Sequence, residues 1–264
     1  MPIECKFPVT PLSQNEFHAV DKTVMKHAFD IQNKLGRLCD EQIYQNELAY
    51  RCQQDGLEVL TEAMINVTHR TFCKTYYLDM LAMHGGIYEL KTVGALHPNH
   101  SNQLINYLLL SALHHGKLIN FRPPSVEHRF ISTKLTPELR RQAVVDKTDW
   151  DESDEPSQLV SQTVHSLIND WGAFLDIDLY KEALLHFLPE QSLQPIEIVL
   201  NGRTIGHQNI CLLQPDTGLH ISSIKEGAVA YSTHVRHLFN HTRLKRVQWI
   251  NFNQSTIQMI TLKK

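Results

Sequence analysis

No stretch of about 18 consecutive apolar residues occurs in this chain, so nothing in it reads as a helix spanning a bilayer. The opening residues, MPIECKFPVTPLSQNEF, lack the basic-then-apolar layout of a secretory signal, and the expectation is a cytoplasmic protein with no membrane association. Cysteine is scarce. Cys5, Cys39, Cys52, Cys73 and Cys211 are odd in number and none forms a CxxC pair, which argues for reduced thiols and against a disulfide framework or a zinc or iron–sulfur centre. Excess charge is missing too: a net charge of -3 does not mark a nucleic-acid binder, but acids that hold metal count against the total, so local patches decide. What remains, 42% hydrophobic and 20% charged among 264 residues, describes a globular chain long enough for one large domain or two of ordinary size.

Phe17, Val20, Val24, Ala28 and Ile31 recur at three- and four-residue steps and predict a helix over 15–35, followed by a second over 40–54. Segments 57–67, 72–83 and 86–93 are rich in β-branched, aromatic and aliphatic types, with His84-Gly85-Gly86 as a turn, and predict a three-stranded meander. Helical spacing returns over 99–114, and KLINF at 117–121 reads as a short buried strand closed by Pro123-Pro124. The order is α, α, β, β, β, α, β.

The texture then changes. DKTDWDESDEPSQ carries six acids and one lysine, and such charge density predicts a solvated acidic linker over 133–157 between a domain at 15–132 and another at 158–264. Beyond it the pattern restarts: helices near 158–170 and 174–188, strands near 195–200, 203–213 and 218–224, a helix near 231–241, and a strand ending in Ile250-Asn251-Phe252. Gly36 with Tyr44 answers Gly172 with Tyr180, Arg70-Thr71 answers Arg203-Thr204, Gly94-Ala95 answers Gly227-Ala228, and Ile119-Asn120-Phe121 answers Ile250-Asn251-Phe252. These pairs lie 136, 133, 133 and 131 residues apart and imply a duplication.

Asp79, Glu89 and Lys91 supply the residue types that metal-dependent phosphodiester hydrolysis needs. Mg2+ or Mn2+ takes hard oxygen ligands, usually one or two carboxylates with several waters, and Asp79 and Glu89 offer them. On a hairpin both can emerge on one side of the sheet, and Glu89 and Lys91, two apart on a strand, share a face. Leu90 then points to the core, its carbonyl available as a further ligand. Lys91 is placed to orient an attacking water or to offset developing negative charge, and Glu41 on the second helix adds a ligand. Gln103 and Tyr107 lie four apart on one helix face.

GRLCDEQIY at 36–44, Asp79 followed by Glu89-Leu90-Lys91, HSNQLINY at 100–107 and KLINF at 117–121 together resemble the GxxExxY family, within the RecB-like branch of the PD-(D/E)XK nuclease superfamily. The resemblance covers about residues 20–132. It implies a restriction-endonuclease-like αβββαβ fold, active-site roles for Glu41, Asp79, Glu89 and Lys91, and a site-lining helix carrying His100, Gln103 and Tyr107. One position departs from the naming motif, where Leu38 stands for the family's glycine.

At the offsets above, Glu41 falls on Ile177, Asp79 on Leu212, Glu89 on Ser222 and Lys91 on Ile224, so the second copy loses every candidate ligand. Arg236, Arg243, Lys245 and Arg246 instead read as a basic surface able to grip phosphates, and His234, His237 and His241, at helical steps, are weighed as a weaker metal alternative. The expectation is therefore an α/β chain of two tandem nuclease-like domains, each a mixed central sheet flanked by helices. The first would be a Mg2+- or Mn2+-dependent nuclease acting on nucleic acid, DNA or RNA with DNA the first expectation, and the second a pseudo-subunit forming an intramolecular pseudo-dimer. The alternative is a non-catalytic nucleic-acid-binding or protein-interaction module of a defence or repair assembly, working with a protein partner.

Overall fold

A computed structural model describes residues 2–189, 192–225 and 227–264, and the chain divides into two units, Met1–Pro137 and Glu138–Lys264. The first unit runs β1 (Ile3–Cys5), α1 (Gln14–Leu35), α2 (Glu41–Gln54), β2 (Val59–His69), β3 (Phe72–Ala82), β4 (Gly86–Lys91), α3 (Pro98–Ser111), β5 (His115–Asn120) and β6 (Glu127–Ser132). Its sheet has the spatial order β1-β2-β3-β4-β5-β6. β2, β3 and β4 form the expected antiparallel meander, α3 crosses over to bring β5 parallel to β4, and β6 returns antiparallel.

Local chemistry sets these elements. α1 begins at a reciprocal capping box, Ser13 with Glu16, which satisfies two backbone N–H groups at the helix start. Its apolar stripe of Phe17, Val24, Ala28 and Ile31 packs with Tyr44 and Leu48 of α2 onto Met80, Tyr88, Leu90, Ile119 and Phe121 of the sheet. Gly86 admits α1 closely, since a Cβ there would stand 3.2 Å from the Phe17 ring. On the opposite face, a Cβ at Gly116 would stand 3.0 Å from Leu104, so α3 covers that side. Glu89, two residues on from Ile87 in β4, takes the α3 side, and Leu90 takes the α1 side.

The second unit runs α4 (Pro137–Arg141), β7 (Val144–Asp149), α5 (Glu155–Trp171), α6 (Ile177–Phe187), β8 (Leu193–Leu200), β9 (Arg203–Gln214), β10 (Thr217–Ser222), α7 (Ala228–His241), β11 (Arg246–Asn253) and β12 (Thr256–Lys263). Its sheet order is β7-β12-β11-β10-β9-β8. From β8 to β12 the strand directions repeat those from β2 to β6: antiparallel, antiparallel, parallel across a helical crossover, antiparallel. Both units are thus α/β layers with a mixed sheet in restriction-endonuclease-like order. They differ at both edges: β1 extends the first sheet beyond β2, and β7 extends the second at the opposite edge, beyond β12.

Residues 133–157 are not a solvated linker. β7 is an edge strand parallel to β12, and α5 begins within the acidic run. The acids have distant partners: Asp151 pairs with Lys263 at 2.8 Å and Arg246 at 3.6 Å, and Asp154 both caps α5 at Ser157 N–H and pairs with Arg246. Trp150, buried among them, donates its indole N–H to the Ser157 carbonyl. Charge density failed as a guide because the neutralising bases lie about ninety or more residues away in sequence.

The units correspond residue by residue, with a register different from the sequence expectation. The helices keep the offset of 136: Tyr44 donates its hydroxyl to the Gly36 carbonyl at 2.8 Å, and Tyr180 does the same to Gly172 at 2.6 Å. The strands from the second half of β9 through β12 take an offset of 131, and bulges in the β8–β9 and β9–β10 pairs break it elsewhere. Asn120, opposite Lys91, and Asn251, opposite Ser222, each clamp the loop after their neighbouring strand, with Asn120 bonded to Val93 N–H and C=O and Asn251 to those of Ile224. The β2–β3 turn, Arg70-Thr71, corresponds to Asn201-Gly202, with Arg70 and Asn201 both at positive φ (50° and 51°), rather than to Arg203-Thr204. The crossover helices start at His97 and Gly227 as caps, which moves Gly94-Ala95 out of register with Gly227-Ala228.

Candidate active site

Glu41, Asp79, Glu89 and Lys91 come together in the first unit, on α2, β3 and β4. Lys91 Nζ lies 2.6 Å from Glu89 Oε1, 4.0 Å from Asp79 Oδ2 and 4.0 Å from Glu41 Oε1. Glu89 is 1% exposed, whereas the Glu41 side chain at the rim is 36% exposed. Regular pairing stops at Asp79. Ladder partners are Thr61 with Met80 and Ala63 with Leu78 on one side, and the last pair with β4 is Met80 with Tyr88. Glu62, facing Asp79 between those pairs, is left-handed at φ 51°.

The freed backbone groups find side chains instead. The Asp79 carboxylate accepts the Leu90 N–H at 2.8 Å, and the Asp79 carbonyl accepts from Gln45 Nε2 at 2.7 Å, which also reaches Glu62 Oε1 at 3.0 Å. Gln45 and Glu62 were not anticipated from sequence. The available signal for Gln45 was its place one turn after Glu41 on the same helix face; Glu62 had none, because its position depends on an interruption of pairing. Replacing Gln45 with Leu should leave the Asp79 carbonyl and Glu62 without this donor and cost about 1–3 kcal/mol, with any activity falling alongside. Urea unfolding of the variant measures it, and an unchanged midpoint would show that the bond contributes nothing.

α3 lines the site as expected. Gln103 Nε2 lies 3.0 Å from the Tyr107 hydroxyl, and the Tyr107 phenol is held above its ordinary pKa by burial and then by the charge of Glu89. His100 has its pKa lowered by burial and then by Lys91, which places it on the same field. Its Nδ1 also accepts the His97 N–H at 3.0 Å, so His100 helps to cap the helix start.

Burial and mutual repulsion dominate the electrostatics. Burial pushes the Asp79 carboxyl up to about 6, against the opposing Leu90 N–H and Lys91, with Glu41 and Glu62 pushing the same way as burial. The Glu89 carboxyl is pushed up to about 8 by burial and then by Asp79, although Lys91 opposes. Burial alone would lower the Lys91 pKa, but Glu89, Asp79 and Glu41 together raise it.

A group that binds its proton more tightly when folded adds stability that is fully present below its unfolded pKa and is lost as pH rises through its folded pKa. For Glu89 that window runs from about 4.3 in the unfolded chain to about 8 in the fold. Metal-free protein should therefore lose stability from pH 5 to 8.5, and Glu89→Gln should lose less. Urea midpoints of both at the two pH values, in a chelator, test this, and a pH-independent difference between them would refute it.

Among the described residues, no group of three or more His, Cys, Asp or Glu side chains is arranged to hold a metal ion, and a lysine ammonium stands among the acids here. The donor set still suits a hard divalent cation: two carboxylates with raised pKa values share one site, and Glu89 Oε2 is buried with no hydrogen-bond partner. In the second unit the corresponding positions are Ile177, Ile210, His220 and Ser222, so the expected counterparts Leu212, Ser222 and Ile224 are corrected, and the loss of both strand carboxylates stands. His234 and Leu238, which face the sheet from α7, take the places of Gln103 and Tyr107.

Two of the four bases of the expected basic surface, Arg246 and Lys245, pair with acids. Arg246 pairs with Asp154 and Asp151, Lys245 with Asp216 at 3.4 Å, and Arg236 donates to the Lys263 carbonyl at 3.3 Å. Arg243 lies in the same stretch, beyond α7. His241 is engaged by the Val199 carbonyl at 3.0 Å while His234 and His237 stack edge to face, and the three are not arranged as a metal set. No helix among the described residues is long and apolar enough to cross a membrane.

Residues 18–131 match the family model of the PD-(D/E)XK nuclease superfamily, a span within the first unit that includes all four site residues. No curated protein and no solved structure matches the chain.

Proposed function

We propose that the first unit is a Mg2+- or Mn2+-dependent nuclease of the GxxExxY type, hydrolysing phosphodiester bonds of DNA or RNA. The observation that carries this reading is the gathering of Lys91, Glu89, Asp79 and Glu41 around one point, with one buried Glu89 oxygen left without a partner. Asp79, Glu89, Glu41 and the Leu90 carbonyl would hold the cation, which supplies Lewis acidity to the scissile phosphate and its nucleophile.

The chain's own groups do the positioning. The Leu90 N–H and Gln45 fix Asp79 from two sides, which keeps its carboxylate aimed at Lys91. The Lys91 ammonium, charged and held by Glu89, orients a water and offsets negative charge on the phosphate as it develops. Gln103 and Tyr107 close the α3 side and limit access of bulk water.

The second unit, with the same strand order and apolar or neutral residues at the corresponding positions, supports a duplicated, degenerate copy acting as a pseudo-subunit in a cytoplasmic protein. One intact centre would nick a duplex, so supercoiled plasmid should pass to open circles before any linear form. The test of the whole reading is cleavage of single- and double-stranded DNA and RNA with either metal, comparing wild type with Lys91→Ala. Cutting that requires metal and is lost in the variant is expected; equal cutting by both would refute it. That the described residues contain no ready-made metal set favours one second reading, a non-catalytic nucleic-acid-binding or protein-interaction module of a defence or repair assembly. In that case Asp79→Ala would leave cellular function intact.

A further inference from the structure

In the second unit a cavity of about 320 Å³ opens between α7 and strands β9, β10 and β11. Two of its lining residues, Ile210 and His220, occupy the positions that Asp79 and Glu89 hold in the first unit. The carboxylates are gone, yet the space beneath the crossover helix has not been filled by larger side chains. Gly218 helps to keep it open: a Cβ there would stand 3.3 Å from both Ile210 Cγ2 and Leu244 Cδ1.

The lining is apolar for the most part and contains no Asp, Glu, Lys or Arg. An ion would lose its hydration on entering without a counter-charge, which excludes charged ligands. Its polar atoms are carried on flat groups. His220 Nε2 lies 2.8 Å from the Tyr231 hydroxyl, with the two rings stacked at 5.6 Å and 26°, and Gln208, two residues before Ile210 on β9 and so on the same face, stands on the β9 side. Burial keeps His220 neutral and Tyr231 engages its Nε2, so the imidazole offers a ligand its Nδ1, as one donor or one acceptor by tautomer.

We propose that this cavity is a binding site for an uncharged heteroaromatic ring of nucleobase size, recognised by the His220–Tyr231 pair and the Gln208 amide. Its volume lies in the range usual for small-molecule sites, about 300–1,000 Å³, and the neutral donor and acceptor groups match a ring that carries both on its edge. The inference does not depend on cutting by the first unit.

The test titrates adenine and uracil into the full chain by calorimetry, with indole and benzoate as apolar and charged controls. One-to-one binding of a base is expected, weakened at least tenfold by Gly218→Val and unchanged by Glu89→Gln. Because Gly218→Val could disturb folding, a second variant is read beside it. Tyr231→Phe keeps the ring and removes the hydroxyl that meets His220, and it should weaken base binding at least fivefold. Failure of both bases to bind wild type, full-strength binding by Tyr231→Phe, or equal affinity for indole or benzoate would each overturn the proposal.

Discussion

Glu89→Gln should lower metal-dependent cleavage about 10²- to 10³-fold while leaving the first unit folded. Gln keeps the shape and one carbonyl oxygen of the original side chain, so the packing that buries it, at 1% exposure, survives. What goes is the charge. Lys91 loses its nearest counter-ion at 2.6 Å, and a divalent cation loses the more buried of its two strand carboxylates. A second-site comparison follows. Asp79→Asn removes a carboxylate that also anchors the Leu90 N–H, so it should cost activity and some stability at every pH, whereas Glu89→Gln should cost activity and change stability only in its pH dependence. Single-turnover cleavage and urea unfolding of the two variants separate these effects. Wild-type cutting by Glu89→Gln would remove the acid from the mechanism.

The site was legible in the sequence because its residues fall in one window, 41–107, on elements whose periods are plain. Glu89 and Lys91 share a face by strand alternation, and Gln103 and Tyr107 by helical spacing. Gln45 and Glu62 escaped because they act on a backbone carbonyl and a broken ladder, which no side-chain pattern announces. The correspondence between units shows a subtler limit. Matching Arg70-Thr71 to Arg203-Thr204 misplaces the sheet by two residues, and a two-residue shift leaves every side chain on its proper face. Alternation could not expose the error; only the hydrogen-bonded pairing of Lys91 with Asn120 and Ser222 with Asn251 fixes the register. β1 and β7 were missed for a related reason, since each is an edge strand completed by a partner distant in sequence.

Asp21→Ala should destabilise the first unit by about 3–5 kcal/mol, the largest effect on stability expected from one substitution outside the site. Lys117 and Asp21 are 6% and 8% exposed and pair directly across the α1 side of the sheet. The Tyr88 phenol, opposite Lys117 in the ladder, is held far above its ordinary pKa by burial and then by the Asp21 charge, so this pocket admits little water. Removing Asp21 alone strands a buried ammonium, and the protein must either deprotonate it or open to solvent. Replacing both partners, Asp21→Leu with Lys117→Met, removes the charges together and should restore most of the loss, because a buried ion pair often does no better than apolar groups of similar volume. Urea unfolding of the single and double variants measures this, and a double variant no more stable than Asp21→Ala would refute it. The same pair separates fold from chemistry. Lys117 faces α1 while Glu89 and Lys91 face α3, so the double variant, once folded, should cut as wild type does, and a loss of cleavage at full folding would mean that the two faces of the sheet are coupled through β4 and β5.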